Sequence, residues 1–217
     1  MNKLKVGHVI GHISEKQYIN ELLNADAVDL FNFKDTLQEK LDLIIFWGGE
    51  DISPSLYKER STHSLANDFP SKRDAYETHV YKLAKEKQIP MLGICRGAQL
   101  LCALNGGRLW QHVENHGRTH EIRLTETNEL LKVTSTHHQM MRPTNEMKVL
   151  GVSAKVLSPL KYNENGAYHA EEDEAEIVFI PQARALCIQG HPEYTPPTSE
   201  FSRLTKDLIN KHLLSGI

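Results

Sequence analysis

Two continuous apolar runs constrain the fold most strongly. Residues 43–47 read Leu-Ile-Ile-Phe-Trp and stop at Gly48-Gly49, and residues 91–94 read Met-Leu-Gly-Ile. Strands buried on both faces have this pattern, which is typical of parallel sheets covered by helices. The segment between the runs, residues 73–87, has the apolar spacing of a helix with one buried face. The sequence therefore predicts strand–helix–strand units in a parallel sheet.

The same alternation extends over the first half of the chain, and the second half changes character. We predict strands at 6–10, 27–31, 43–47 and 91–94, and helices at 15–23, 73–87 and 98–104. Shorter strands are predicted at 121–124, 131–135, 148–152, 176–180 and 185–189. Thr198 is expected to cap a last helix that runs to about residue 214. Together these elements indicate a single three-layer α/β domain over residues 1–217, with a mostly parallel central sheet and a small antiparallel strand region.

Composition argues against several classes of function. The net charge is −3 and no run is rich in Lys or Arg, so we expect neither nucleic acid nor an anionic membrane as partner. The first residues lack the apolar length of a signal peptide, and no stretch is long enough to span a bilayer. Three cysteines without an export signal are typical of a reducing compartment, so we expect a cytoplasmic protein.

One cysteine stands in a motif typical of nucleophiles. Residues 93–97 read Gly-Ile-Cys-Arg-Gly, between a predicted buried strand and a predicted helix. A G-x-C-x-G turn of this kind is the thiol counterpart of the nucleophile elbow, which lifts its central residue above the sheet. The helix N-terminus favours a thiolate at Cys95, and its free N–H groups, beginning with Arg96, can bind an oxyanion. The alternative is a glycine-flanked core cysteine, which is how we interpret Cys102 and Cys187.

A catalytic cysteine needs a histidine, and one of the twelve histidines follows a predicted strand directly. His191 lies in Gln-Gly-His-Pro-Glu, and Pro192 stiffens the backbone between it and Glu193. An extended segment places residues two apart on the same side, so Glu193 can orient the imidazole. The sequence thus predicts a Cys95–His191–Glu193 triad.

Three other histidines, His112, His116 and His120, recur every four residues, a spacing that could present metal ligands on a helix. Asn115 and Gly117 interrupt any such helix, and no acidic residue is placed as in a zincin motif. We therefore expect no metal and no cofactor.

These motifs resemble class I glutamine amidotransferase domains, and most of all their hydrolytic branch, the γ-glutamyl-γ-aminobutyrate hydrolase-like cysteine peptidases. The resemblance rests on six blocks in family order: residues 48–57 (a glycine-rich loop ending in Pro-Ser-Leu-Tyr), Arg73-Asp74 with Glu77, 93–101, 106–111, 134–139 and 189–193. It implies the flavodoxin-like fold of those amidotransferases. Gly190 stands where many relatives carry an aromatic residue, which predicts extra room beside His191.

The resemblance also implies residue roles and a substrate. Backbone N–H groups of Gly49 and Arg96 would form the oxyanion hole. Gln99 would hold the glutamyl moiety, and backbone groups of His138 and Gln139 would hold its amino-acid end. The substrate would be a small γ-glutamyl compound, cleaved through a thioester at Cys95.

Three functional readings stay open at this point. The first is a stand-alone hydrolase of γ-glutamyl amides. The second is a glutaminase subunit that supplies ammonia to a separate synthetase chain. The third is a non-catalytic binding module, against which the complete triad argues. A homodimer is also compatible with the resemblance.

Overall fold

The structure is a computed structural model that describes residues 3–31 and 40–215. Its helices are α1 (Ile13–Leu23), α2 (Lys72–Glu86), α3 (Arg96–Leu104) and α4 (Glu200–Ile209). Its strands are β1 (Leu4–Val9), β2 (Ala25–Leu30), β3 (Leu43–Phe46), β4 (Met91–Ile94), β5 (Arg108–Trp110), β6 (His112–Val113), β7 (His120–Leu124), β8 (Leu130–Val133), β9 (Met140–Arg142), β10 (Lys148–Ser153), β11 (Leu160–Asn163), β12 (Gly166–His169), β13 (Ala175–Ile180) and β14 (Ala185–Ile188).

The first four strands, together with β14 from the second half of the chain, form the parallel part of the main sheet. The strand order there is β2-β1-β3-β4-β14, and every neighbouring pair is parallel. The carboxyl ends of β3, β4 and β14 consequently lie side by side. Gly49, Cys95 and His191 follow these three ends, so the topology brings these predicted site residues to one edge.

Helices cover both faces of the sheet, as the alternation of buried residues in β3 shows. Ile44 and Phe46 pack into a core with α2 and α3, whereas Leu43 and Ile45 pack into a second core with α1 and α4. A period of two with apolar residues on both faces is what a central strand of a three-layer domain requires. The predicted α/β class is confirmed.

The antiparallel strands extend the same sheet rather than forming a separate region. The order continues β14-β13-β10-β7-β8 with antiparallel neighbours, while β5 and β9 pair beside β13. A small second sheet has the order β12-β11-β6.

The last helix begins one residue later than the sequence analysis expected. Ser199, not Thr198, is the N-cap of α4, and its side chain accepts a hydrogen bond from the backbone N–H of Ser202. A π-helical turn, Asn210–Leu214, continues the helix to the predicted end. None of the helices in the described residues has the length and apolarity needed to cross a membrane.

Candidate active site

The turn between β4 and α3 holds Cys95 in a strained conformation. Its backbone has φ 50° and ψ −108°, which residues with a Cβ rarely adopt. The backbone N–H of Cys95 donates to the carbonyl of Ile188 in β14 at 2.8 Å, which anchors the turn to the neighbouring strand. Cys95 is the N-cap of α3, so its thiol lies at the positive end of the helix.

Both glycines of the motif are required by close backbone contacts. A Cβ at Gly93 would lie 2.5 Å from the carbonyl carbon of Gly97 and 2.6 Å from the nitrogen of Ala98. A Cβ at Gly97 would overlap the carbonyl group of Phe46 in β3. The backbone cannot yield at either place, so the elbow predicted from the sequence is present with the geometry that its glycines imply.

His191 and Glu193 lie together at the same sheet edge. Nδ1 of His191 is 2.7 Å from Oε1 of Glu193, and both side chains are buried. The imidazole also adjoins the elbow: a Cβ placed on Gly48 would lie 2.9 Å from Cε1 of His191 and 3.7 Å from Cβ of Cys95. Gly48 thus borders both side chains, and its lack of a side chain leaves room for the imidazole, a role that the sequence analysis missed.

The electrostatics of this site favour a protonated imidazole. Burial lowers the pKa of His191, but hydrogen bonding to Cys95 and Glu193 and the negative charge on both outweigh it, and the pKa is raised to about 10. A cation at His191 in turn stabilises a thiolate at Cys95. The arrangement therefore suits a thiolate–imidazolium pair, which is the reactive state of a cysteine nucleophile.

We expect His191 to titrate near pH 10 in the wild type and at lower pH in a Cys95→Ala variant, which lacks one of the two partners. Because folding raises this pKa from 6.5, the stability that the bound proton contributes is fully present below about pH 6.5 and is lost as the pH rises through 10. An NMR titration of the His191 ring, assigned with His191→Gln, measures both values. A titration near pH 6.5 that Cys95→Ala leaves unchanged contradicts the prediction.

Two further residues contact the imidazole and carry no motif that the sequence analysis used. Oγ1 of Thr136 lies 2.9 Å from Nε2 of His191. The ring of Tyr194 stacks on the imidazole with centroids 4.4 Å apart and an interplanar angle of 2°. Thr136 stands inside the block 134–139, and Tyr194 directly follows Glu193. Their positions in or next to these motifs could have indicated that they lie near His191.

The loop after β3, which carries Gly49, is held by Arg73 of α2. Nη2 of Arg73 donates to the carbonyls of Gly48 at 2.8 Å and Trp47 at 3.2 Å. The carbonyl of Gly48 and the N–H of Gly49 belong to one planar trans peptide and point in opposite directions. The N–H of Gly49 therefore points away from Arg73. Gly49 has φ 144°, and a Cβ there would overlap the guanidinium group of Arg73.

The side chain of Arg96 points away from the site into a buried ion-pair network with α2. Its Nη2 lies 2.6 Å from Oδ1 of Asp74, and its Nη1 pairs with Glu77, with all three side chains at most 1% exposed. Glu77 also pairs with Arg73 at 2.9 Å. The Arg-Asp-x-x-Glu block thus holds the side chain of Arg96 and stabilises the elbow. Only the backbone N–H of Arg96 remains as a candidate for oxyanion binding.

The predicted substrate-binding residues lie next to one another. Nε2 of Gln99 donates to the carbonyl of Gln139 at 3.2 Å. That carbonyl lies 2.9 Å from Nδ1 of His137 as well, and the carbonyl of His138 accepts from the backbone of Val113 at 2.7 Å. Since these carbonyls already have donors, the N–H groups are the better candidates for holding a substrate.

The expected extra room beside His191 is absent. A Cβ on Gly190 would lie 2.8 Å from the carbonyl oxygen of Thr134 and 2.9 Å from Cζ of Phe201 in α4. Phe201 fills the space that an aromatic residue at this position would need. The prediction was wrong because α4, which is distant in the chain, supplies the aromatic ring instead.

Comparisons with known proteins find similar sequences and a similar fold. A family model described as peptidase C26 matches residues 29–193. A putative glutamine amidotransferase-like protein, YvdE of Lactococcus lactis, is 30% identical over 75% of this chain and 70% of its own length. The γ-glutamyl-γ-aminobutyrate hydrolase of Escherichia coli is 26% identical over 94% of this chain and 86% of its own. Among solved structures, a glutamine amidotransferase of Thermotoga maritima has a TM-score of 0.62 at 17% identity, over 97% of this chain and 86% of that one.

Proposed function

This chain belongs to the peptidase C26 family of cysteine-type hydrolytic enzymes, and we propose that it hydrolyses a γ-glutamyl amide bond with Cys95 as nucleophile. The observation that carries the proposal is the placement of His191, bonded to Glu193, beside the strained elbow of Cys95. The similarity to a γ-glutamyl-γ-aminobutyrate hydrolase over 94% of the chain supports the choice of substrate class.

The first half of the proposed reaction is acylation. The Cys95 thiolate attacks the γ-carbonyl carbon, and a C–S bond forms while the carbonyl oxygen gains negative charge. The N–H groups of Gly49 and Arg96 bind that oxygen, and each such donor contributes about 10²–10³-fold in rate. As the C–N bond breaks, the imidazolium of His191 gives its proton to the departing amine. The product of this half is a γ-glutamyl thioester.

The second half is hydrolysis of the thioester. His191, now neutral, takes a proton from water, and the oxygen attacks the thioester carbon. The C–S bond breaks, glutamate leaves, and the thiolate–imidazolium pair is restored. Glu193 keeps the imidazole oriented in both halves and stabilises its charged form.

The test of this function is glutamate release by the purified protein from glutamine and from a panel of γ-glutamyl amides of small amines. Release from γ-glutamyl amides without any partner supports the hydrolase. Glutamine-dependent activity that appears only after mixing with a synthetase supports the second candidate, a glutaminase that serves another chain, which the similarity in fold to a glutamine amidotransferase favours. No glutamate release under either condition contradicts both.

We expect Thr136→Val to lower kcat by roughly 10–150-fold, the effect of losing one hydrogen bond to the charged imidazolium, worth about 1.5–3 kcal/mol. The variant is nearly isosteric and removes only the hydroxyl that contacts Nε2 of His191. Thr136→Ser, which keeps the hydroxyl, is the matched control and should retain most of the activity. Steady-state kinetics on the best substrate of the panel measure both, and equal loss in the two variants contradicts a role for the hydrogen bond.

A further inference from the structure

A second cluster of ionisable side chains lies behind the loop that carries Thr136. His116, His120, His137 and Glu176 each place one nitrogen or oxygen within 4.8 Å of the others. His116 and His120 come from the segment leading into β7, His137 follows β8, and Glu176 lies in β13. The sequence analysis set aside metal binding because His112, His116 and His120 could not share a helix. Here two of them meet without a helix, joined by a histidine and a glutamate that are distant in the chain.

The hydrogen bonds of His120 and His137 fix which nitrogen faces the centre of the cluster. Nδ1 of His120 lies 2.9 Å from the carbonyl of Arg118, and Nδ1 of His137 lies 2.9 Å from the carbonyl of Gln139. A carbonyl only accepts, so each Nδ1 carries the proton and each Nε2 of the neutral ring presents a lone pair. Metal-binding histidines are held in this way, with the other ring nitrogen bonded to a carbonyl or carboxylate.

The third histidine lies between two carboxylates. Nε2 of His116 is 3.1 Å from Oε2 of Glu174 without hydrogen-bond geometry, and its Nδ1 is 3.0 Å from Oε1 of Glu176. Glu174 is itself paired with the buried Lys161 at 3.3 Å, so its charge is balanced. All three histidines therefore direct their remaining nitrogen at one carboxylate.

The carboxylate of Glu176 is the centre on which the three rings converge. Nε2 of His120 lies 3.0 Å from Oε1 of Glu176, and Nε2 of His137 lies 3.4 Å from Oε2. Nε2 of His137 and Oε2 of Glu176 are buried and have no hydrogen-bond partner among the described residues. Without a metal ion, ring protons hold this carboxylate, and, against the lowering effect of burial, the hydrogen bonds of His116 and His120 to Glu176 raise the pKa of both rings. A metal ion at the centre would displace those protons and bind the same ring nitrogens.

The histidine–carboxylate separations are those of a site that could hold one ion, and all four donor atoms lie within 4.8 Å of one another. Metal–nitrogen and metal–oxygen bonds of about 2.0–2.2 Å at tetrahedral angles place neighbouring donor atoms roughly 3.3 Å apart. The three histidine–carboxylate separations are 3.0, 3.0 and 3.4 Å. Imidazole and carboxylate together suit Zn²⁺, and four protein donors make a closed, structural site. The half-buried His120 also lines a cavity of about 680 Å³, which gives an ion a route to the cluster.

We propose that His116, His120, His137 and Glu176 form a structural Zn²⁺ site. The ion would tie β13 to the segment before β7 and to the loop 134–139. That loop also contacts His191, through the carbonyl of Thr134 at 2.9 Å and through Thr136. The site stabilises the rear of the active site and takes no part in the reaction, so it is independent of the proposed function.

The test uses the full chain without a histidine tag, stripped with a chelator and then dialysed against Zn²⁺. Elemental analysis should find one ion per chain, and the midpoint of thermal unfolding should rise on adding Zn²⁺. His120→Gln and Glu176→Gln should each weaken Zn²⁺ binding at least about tenfold. His169→Gln, which removes an exposed histidine of β12, is the matched control and should bind as the wild type does.

Co²⁺ gives a second readout that is independent of folding stability, because a tetrahedral Co²⁺ site absorbs in the visible range. The wild type and Cys95→Ala should show the same spectrum, and His120→Gln should not. The proposal is overturned if the stripped wild type takes up no Zn²⁺, or if His120→Gln binds Zn²⁺ as tightly as the wild type. It is also overturned if Cys95→Ala abolishes binding, since the ion then occupies the active site.

Discussion

Cys95→Ala is expected to remove turnover almost completely, lowering kcat by a factor on the order of 10⁶, as when the nucleophile of a triad enzyme is deleted. The variant loses the atom that forms the covalent intermediate, and no other described side chain occupies the elbow between β4 and α3. Alanine leaves the fold intact because the strained backbone is held by the hydrogen bond to Ile188 and by the contacts of Gly93 and Gly97. The measurement is glutamate release, accompanied by circular dichroism to establish folding.

The matched control for this prediction is Cys102→Ala. Cys102 is a buried thiol in the same helix that follows the elbow, and burial raises its pKa to about 12, which makes it unreactive. We expect this variant to keep its activity and to lose only some stability. Near-wild-type turnover in Cys95→Ala, or equal loss of turnover in the two variants, contradicts the assignment of the nucleophile.

Arg96→Met is expected to lower the free energy of unfolding by about 3–5 kcal/mol, the cost of removing one partner from a buried ion pair. Asp74 and Glu77 are each at most 1% exposed and would lose the guanidinium group that both of them contact. Methionine replaces most of the volume and none of the charge. Urea denaturation, with the midpoint and slope determined for wild type and variant, measures the loss.

The control for Arg96→Met is a variant that breaks an ion pair at the surface. Lys3 and Asp26 lie 3.0 Å apart, with side chains that are 55% and 63% exposed. Lys3→Met should change stability by about 0–1 kcal/mol, because water and salt screen the interaction. If Arg96→Met costs no more than Lys3→Met, the network behind the elbow does not hold α2 and α3 together.

The sequence predicts the parallel strands of the sheet well because each of them is marked by its own short apolar run. Residues 43–47 and 91–94 are apolar on both faces, and the strands found there differ from the prediction by at most one residue. β11 and β12 were missed. β11 contains Lys161, whose side chain is fully buried against Glu174 and the carbonyl of Ala170, so its hydrophobic pattern is hidden.

The site could be predicted where chemistry is concentrated in short motifs. The elbow around Cys95 and the His-Pro-Glu segment each identify their own residues, and parallel topology then brings them to one edge. Thr136, Tyr194 and Arg73 lie in or beside the motifs, but their contacts depend on how separate segments pack, so the motifs alone do not reveal their roles. At Gly190 the sequence led to a wrong prediction, because the space beside this residue is filled by Phe201, which comes from the distant last helix.

The most direct test of the account is to treat the protein with an electrophilic γ-glutamyl analogue and to locate the adduct by mass spectrometry of its peptides. The account predicts one adduct per chain, on the sulfur of Cys95, with its rate of formation strongly reduced in His191→Gln. An adduct on Cys102 or Cys187, or labelling of Cys95 at the same rate without the imidazole, contradicts it.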